Sequence, residues 1–354
     1  MNDSITNTKQ IKDYSISFVR LLAMLFIVSC HIMQRDDFAT DIYGAHISWA
    51  WWFNVGIQMF LFISGYLYGN KEKLEAVPFY KKCFPKVLID YYVFIAIVLI
   101  PIICFTSQNV DWDKISDLLT LSGFIHGLDH LWFIPMILFC YLLTPILRQV
   151  IYAIDKENRI KSWIGFILLL IVVHVVVQNL FSNFSAAWIN NYILGLIYSR
   201  IEKRNKVEKR IFLGVFIALC LLIIPVQFRI EYWPHSDLPY AFEVNYGNFK
   251  EYGHLSLGIT ICLLVRGLVK NLVCKAGVRK LLDWSDKYSY DIYLVHHVFV
   301  QSDLGCVEYI PNRLIAIPLA LVLTVISALL LYYFSSLIRK IGSNIFVKQA
   351  NKQN

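Results

Sequence analysis

Two ionisable residues inside the first apolar stretch indicate the chemistry to look for. Arg20 and His31 both lie within the block that runs from Ile16 to Met33. Charged and titratable side chains are costly in hydrocarbon, and where they occur they mark a functional site by default. On an α-helix their spacing is about three turns, which puts them within about 20° of one face and roughly 16 Å apart along the axis. A guanidinium holds an anion, and an imidazole that is neutral near pH 7 accepts a proton. One face of one helix therefore offers an anion grip at one depth and a proton acceptor at another.

Three more segments carry polar groups of this kind. Ser64-Gly65 sits inside Met59-Phe60-Leu61-Phe62-Ile63-Ser64-Gly65-Tyr66-Leu67, where a glycine also serves plain helix packing by letting a neighbouring backbone approach. Lys82 and Lys86 follow at i,i+4 and share a helix face from which they can hold phosphates; the same pair also reads as a membrane anchor. His130-Leu131-Trp132-Phe133-Ile134-Pro135 opens a later block, and Ser289-Tyr290-Asp291-Ile292-Tyr293-Leu294-Val295-His296-His297 fills another. Asp291, His296 and His297 need partners or water inside a span. His130 falls at the same depth as His31, and an interfacial residue is its plainer reading. His174 and His254 read as packing histidines.

The elements that must position these groups are membrane helices. The chain has 354 residues, 57% hydrophobic and 16% charged, against roughly 25% charged in a soluble domain. The apolar residues fall in blocks near the roughly 20 residues that cross a bilayer core. Ten spans are predicted, at 16–33, 49–68, 87–105, 131–150, 162–180, 186–199, 211–228, 252–269, 288–303 and 314–337, making one all-α membrane domain over 1–354. The first block reads as a retained helix rather than a cleaved signal. Placing the N-terminus inside and alternating leaves 27 of the 33 Lys and Arg on the inner side and 5 outside, with Arg20 within a span. That asymmetry predicts N-in, C-in and an even number of spans. The net charge of +8 is thus a matter of orientation, and no nucleic-acid partner is expected. Trp49, Trp51, Trp52, Trp112, Trp132, Trp188 and Trp233 fall at predicted outer ends, as in an interfacial belt. The eight cysteines are scattered, without C-x-x-C or a Cys/His cluster at zinc spacing, so neither disulfide nor metal is expected.

In this order and on this frame the segments resemble the membrane-bound acyltransferase-3 family, over nearly the whole chain. The family's basic residue followed by a histidine in the first span is met by Arg20 and His31, and its F-x-x-S-G pattern by Phe60 or Phe62 with Ser64 and Gly65. Its basic segment before the third span corresponds to Lys81, Lys82 and Lys86, where arginine is commoner. Its L-W-F-L-P-like opening corresponds to Leu131–Pro135, and its S-x-x-x-Y-L-x-H pattern to Ser289, Tyr293, Leu294 and His296. Some members carry a further hydrolase-like domain; this chain reads as the stand-alone form.

The resemblance implies an O-acyltransferase of the bacterial inner membrane. It would take acetyl from cytoplasmic acetyl-CoA and pass it to a hydroxyl of a surface glycan or lipid-linked sugar. His31 and Arg20 would be catalytic; Lys82, Lys86, Ser64 and Gly65 would bind the donor; His130, Trp132, Tyr293 and His296 would meet the acceptor. Direct transfer and an acyl-histidine intermediate both remain open. A transporter or flippase for a lipid-linked sugar is the alternative, although no inverted repeat is visible. A third reading is a sensor that binds without turnover.

Overall fold

The computed structural model describes residues 12–35, 39–42, 45–71, 73–105, 116, 119–121, 128–181, 185–232, 240–302 and 305–353. Trp112 and Trp233 of the expected belt lie outside them. The chain begins with helix α1 (Tyr14–Arg35), followed by a short antiparallel hairpin of β1 (Ala39–Ile42) and β2 (Ala45–Ser48) in which Asp41 pairs with His46. Helices α2 (Trp49–Phe53) and α3 (Val55–Gly69) come next, then α4 (Ala76–Phe105). A 3-10 turn (Asp129–Trp132) leads into α5 (Phe133–Asp155), followed by α6 (Arg159–Leu180), α7 (Ala186–Arg204), α8 (Lys206–Tyr232) and α9 (Tyr240–Leu268). The chain closes with α10 (Ala276–Val300), α11 (Cys306–Tyr309) and α12 (Arg313–Gln353). The protein is thus helical, as expected, apart from the hairpin.

Each predicted span falls on a helix, with two instructive differences. The segment 49–68 is broken: α2 ends and α3 begins at Asn54. Helix α4, which carries the third predicted span, starts at Ala76, eleven residues before that span, so Lys82 and Lys86 stand on its first turns.

Among the described residues, five helical segments are long and apolar enough to cross a membrane: Tyr14–Arg35, Asp129–Asp155, Arg159–Leu180, Lys206–Val226 and Arg313–Gly342. Segments of α6, α8 and α12 turn Ile167, Val172, Leu221, Leu222, Leu330 and Phe334 outward. Apolar surface on this scale suits hydrocarbon rather than water. The centre is different. Helices α3 and α7 are buried along nearly their whole length, and α7 carries Asn190, Asn191, Tyr192 and Tyr198. Its amide nitrogens find partners on neighbouring helices: Asn191 Nδ2 donates to the Gln58 carbonyl at 2.6 Å and to Gln58 Oε1 at 2.8 Å. Polar groups are tolerated there because neighbouring helices, not lipid, surround them.

Gly65 and Gly195 explain how closely α3 and α7 pack. A Cβ on Gly65 would run into the Tyr192 backbone, and one on Gly195 into the Phe62 backbone. Small residues at such a crossing let two backbones meet. Helix α7 starts cleanly because the Ser185 side chain accepts from Ala187 N–H, and α6 because Asn158 accepts from Lys161 N–H, each satisfying an orphan donor.

One expected role is revised by packing. Trp51 is not an interfacial anchor; it is buried, with its ring 4.4 Å from that of His254. His254 Nε2 donates to the Trp51 carbonyl at 3.1 Å, because a carbonyl oxygen can only accept. His174 pairs with the Tyr252 hydroxyl at 2.8 Å. The cysteines with described side chains, such as Cys140 and Cys262, are buried free thiols.

Candidate active site

A cavity of about 600 Å³ opens between α1, α3, α4, α5 and α10. Along α1 it runs from Lys12 to Ile27, which is roughly 22 Å at the helical rise. Its walls change character along that length. At the Lys12 end stand Asp13, Arg20, Asn70, Lys71, Lys82, Lys86 and Asp286; at the other stand Ile27, Ile57, Phe133, Ile137 and Tyr293. A polar, mainly cationic mouth thus leads into an apolar and aromatic throat. That volume lies in the range of pockets that hold small-molecule ligands.

The helices place these groups by periodicity. On α10, Asp286, Ser289 and Tyr293 line the cavity, and steps of three and four residues keep them on one stripe. His296 and His297 continue that stripe by one turn. On α1, Arg20 and Ile27 line the cavity and His31 follows one turn later. On α4, Lys82 and Lys86 both face inward, as their i,i+4 spacing predicts.

Arg20 is not snorkelling towards water. Its Nη1 lies 3.0 Å from Asp286 Oδ1 and its side chain is only 29% exposed. Lys12 Nζ reaches the other oxygen of Asp286 at 2.8 Å and Asp283 at 2.6 Å. Ser17 Oγ donates to Asp286 at 2.5 Å. Burial alone would lower the Lys12 pKa, but the carboxylates of Asp283 and Asp286 outweigh it and hold the ammonium above its ordinary range. Asp13 is governed the same way: burial favours its neutral form, yet hydrogen bonds from Ser15 and Arg266 keep it below the usual carboxylate range. Arg266 is the brace of this mouth. It holds Asp13, Glu202 and the Tyr66 hydroxyl, each at 2.9 Å, and so ties α1, α3, α7 and α9 together.

Beyond the throat lies a cluster of histidines. The His31 ring stands 4.0 Å from that of His297 and 5.2 Å from that of His296. His130 stacks on His297 with centroids 4.0 Å apart. One ring nitrogen from each of His31, His296 and His297 lies within 4.8 Å of the others. The sequence expectation of no metal rested on local spacing; the fold assembles this trio from residues far apart in the chain. The cluster does not line the cavity. Tyr293 and Phe133, rings 5.3 Å apart, stand between, and the Tyr293 hydroxyl donates to the His130 carbonyl.

The expected site residues therefore divide. Arg20, Ser64, Lys82, Lys86 and Tyr293 line the cavity. His31, His130 and His296 meet beyond its throat. Gly65 is at the α3–α7 crossing, so its missing side chain serves packing rather than the cavity surface. Trp132 stacks on Trp188 at 4.0 Å, away from the cavity. Asp291 is buried outside the lining. Sequence reasoning missed Asp286, Lys12, Lys71 and the tyrosines Tyr68, Tyr141 and Tyr290. For Asp286 a signal was present: it precedes Ser289, Tyr293 and His296 at helical spacing. It also missed the buried pair Asp90–Arg339, which joins α4 to α12.

The family model described as "Acyltransferase domain" matches residues 13–333. Neither the curated proteins nor the solved structures give a match to the chain.

Proposed function

From the premise that this chain belongs to the acyltransferase-3 family and is an acyltransferase, we propose that it carries an acetyl group from cytoplasmic acetyl-CoA to a sugar hydroxyl on the outer face of a bacterial inner membrane. In this reading ten spans cross the bilayer with both termini inside. The cationic mouth then faces the cytosol and the histidines lie towards the outside.

One observation carries the reading: a single cavity is cationic at one end and stops one helical turn short of His31 at the other. The donor's nucleotide is too polar to cross a bilayer core, but it need not. Lys12, Lys71, Lys82, Lys86 and Arg20 supply charge-assisted bonds for its phosphates. The pantetheine arm follows the apolar throat and brings the thioester carbonyl past Tyr293. An acceptor hydroxyl then donates to the ring nitrogen of His31 that faces the cluster. As the proton moves to His31, the oxygen attacks the carbonyl and the C–S bond breaks. The proton passes on to the leaving thiolate, and free thiol returns to the cytosol. His296 and His297 pack against the reacting imidazole and set its orientation, with His130 stacked behind His297.

Purified protein in nanodiscs, given radiolabelled acetyl-CoA and an acceptor glycan, tests this. Transfer is expected in the wild type and loss of transfer with retained donor binding in His31→Ala. Wild-type turnover in that variant would overturn the assignment.

A further inference from the structure

We propose that His31, His296 and His297 form a binding site for a borderline transition-metal ion of the zinc class. The case rests on where the ring protons go. His296 is fully buried, and its Nδ1 lies 2.6 Å from the Tyr293 carbonyl. A carbonyl oxygen can only accept, so Nδ1 carries the proton and Nε2 keeps a lone pair. That Nε2 is buried with no hydrogen-bond partner. His31 Nδ1 lies 2.8 Å from Gln34 Oε1, another acceptor, which leaves the His31 Nε2 with a lone pair as well. His130 repeats the pattern: Nε2 faces the Leu294 carbonyl at 3.1 Å and the buried Nδ1 has no partner.

Two of the three ligands, His31 and His296, thus spend their ring protons on the shell around the cluster and keep a lone pair on Nε2. A buried polar atom without a partner is costly, and what satisfies several converging lone pairs is a cation. A ring proton donated to a backbone carbonyl is also the arrangement by which metal-ligating histidines are held in one tautomer. Ring nitrogens of His31, His296 and His297 already lie within 4.8 Å of one another, so modest rotations converge them. Imidazole ligands suit zinc, copper and nickel, and three of them leave a fourth position open. The ion has a way in, because His31 is half-buried beside the exposed Gln34. An ion there takes the His31 lone pair, and, on the transfer reaction proposed above, occupancy then inhibits the enzyme.

The test uses the full chain in detergent, purified through a tag without histidine, stripped with chelator and titrated with Co²⁺. We expect one Co²⁺ per chain, seen as the visible d–d absorption of a low-coordinate ion and by elemental mass spectrometry, and displaced by Zn²⁺. Removing even a supporting partner of a ligand costs about 10–100-fold in metal affinity, so His296→Gln and His297→Gln are each expected to lose at least about 100-fold. His174→Gln, outside the cluster, should bind Co²⁺ as the wild type does. A monodisperse gel-filtration profile and a wild-type thermal midpoint report that each variant is folded. Absence of a stoichiometric band in the wild type, or an unchanged band in both cluster variants, overturns the proposal. The two proposals fail separately: Co²⁺ binding survives if no acyl transfer is found, and acyl transfer by the chelated protein survives if no metal binds.

Discussion

At the scale of single residues, the structure separates the cationic cavity, proposed above to grip the donor, from the histidine proposed to take the proton. Arg20 and His31 share a helix face, but Arg20 stands in the cavity and His31 beyond its throat. Their substitutions should therefore differ. His31→Ala is expected to lower the transfer rate by about 10²–10⁴-fold, the range for a positioned general base, with donor affinity unchanged in isothermal titration. Arg20→Ala should instead weaken donor binding. Arg20→Lys should recover part of it, since charge survives while the planar fork is lost. Asp286 sharpens this prediction. It occupies Arg20 and Lys12 together, so donor phosphates compete with its carboxylate for both cations. Asp286→Asn is expected to tighten acetyl-CoA binding, and an unchanged or weakened affinity would show that Asp286 instead orients Arg20.

At the scale of elements, the site depends on how tightly certain helices meet. The α3–α7 crossing holds Ser64 against the cavity because Gly65 and Gly195 leave no side chain between the backbones. Gly195→Ala, remote from the cavity lining, should lower the thermal midpoint in detergent by an amount matching about 1–3 kcal/mol of overpacking. A second junction ties α12 to α4. Asp90 is buried and paired with Arg339, one turn beyond the cavity lysine Lys86. Arg339→Met leaves that carboxylate without its partner and should cost about 3–5 kcal/mol, whereas removing both charges together should restore much of the loss. Thermal unfolding of the single and double variants checks this, and equal loss in both would refute it.

At the scale of the whole molecule, orientation is the outstanding prediction. Cysteines introduced at Lys73 and Lys275, both exposed, should react with a membrane-impermeant maleimide only after the cell is opened. A cysteine at Asn312, also exposed, should react in intact cells. Labelling in the reverse sense would turn the cationic mouth outward and end the acetyl-CoA reading.

The sequence by itself determined the helical class, the approximate positions of the long helices and the family. Those follow from hydropathy blocks of membrane length and from short motifs, all of which are local. It also put Lys82 and Lys86 on one face of a helix, because a spacing of four residues keeps two side chains on the same stripe. The boundaries were less legible: Asn54 breaks one predicted span, and α4 runs back through the lysines. What only the tertiary structure decided is which faces meet. Asp286 lies 266 residues from the Arg20 it pairs with, and His296 reaches His31 from the far end of the chain. Periodicity orients a side chain about its own helix axis; it does not say which helix stands opposite. That choice belongs to packing, to the glycines that let α3 and α7 touch, and to the ion pairs that fasten α1 to α10 and α4 to α12.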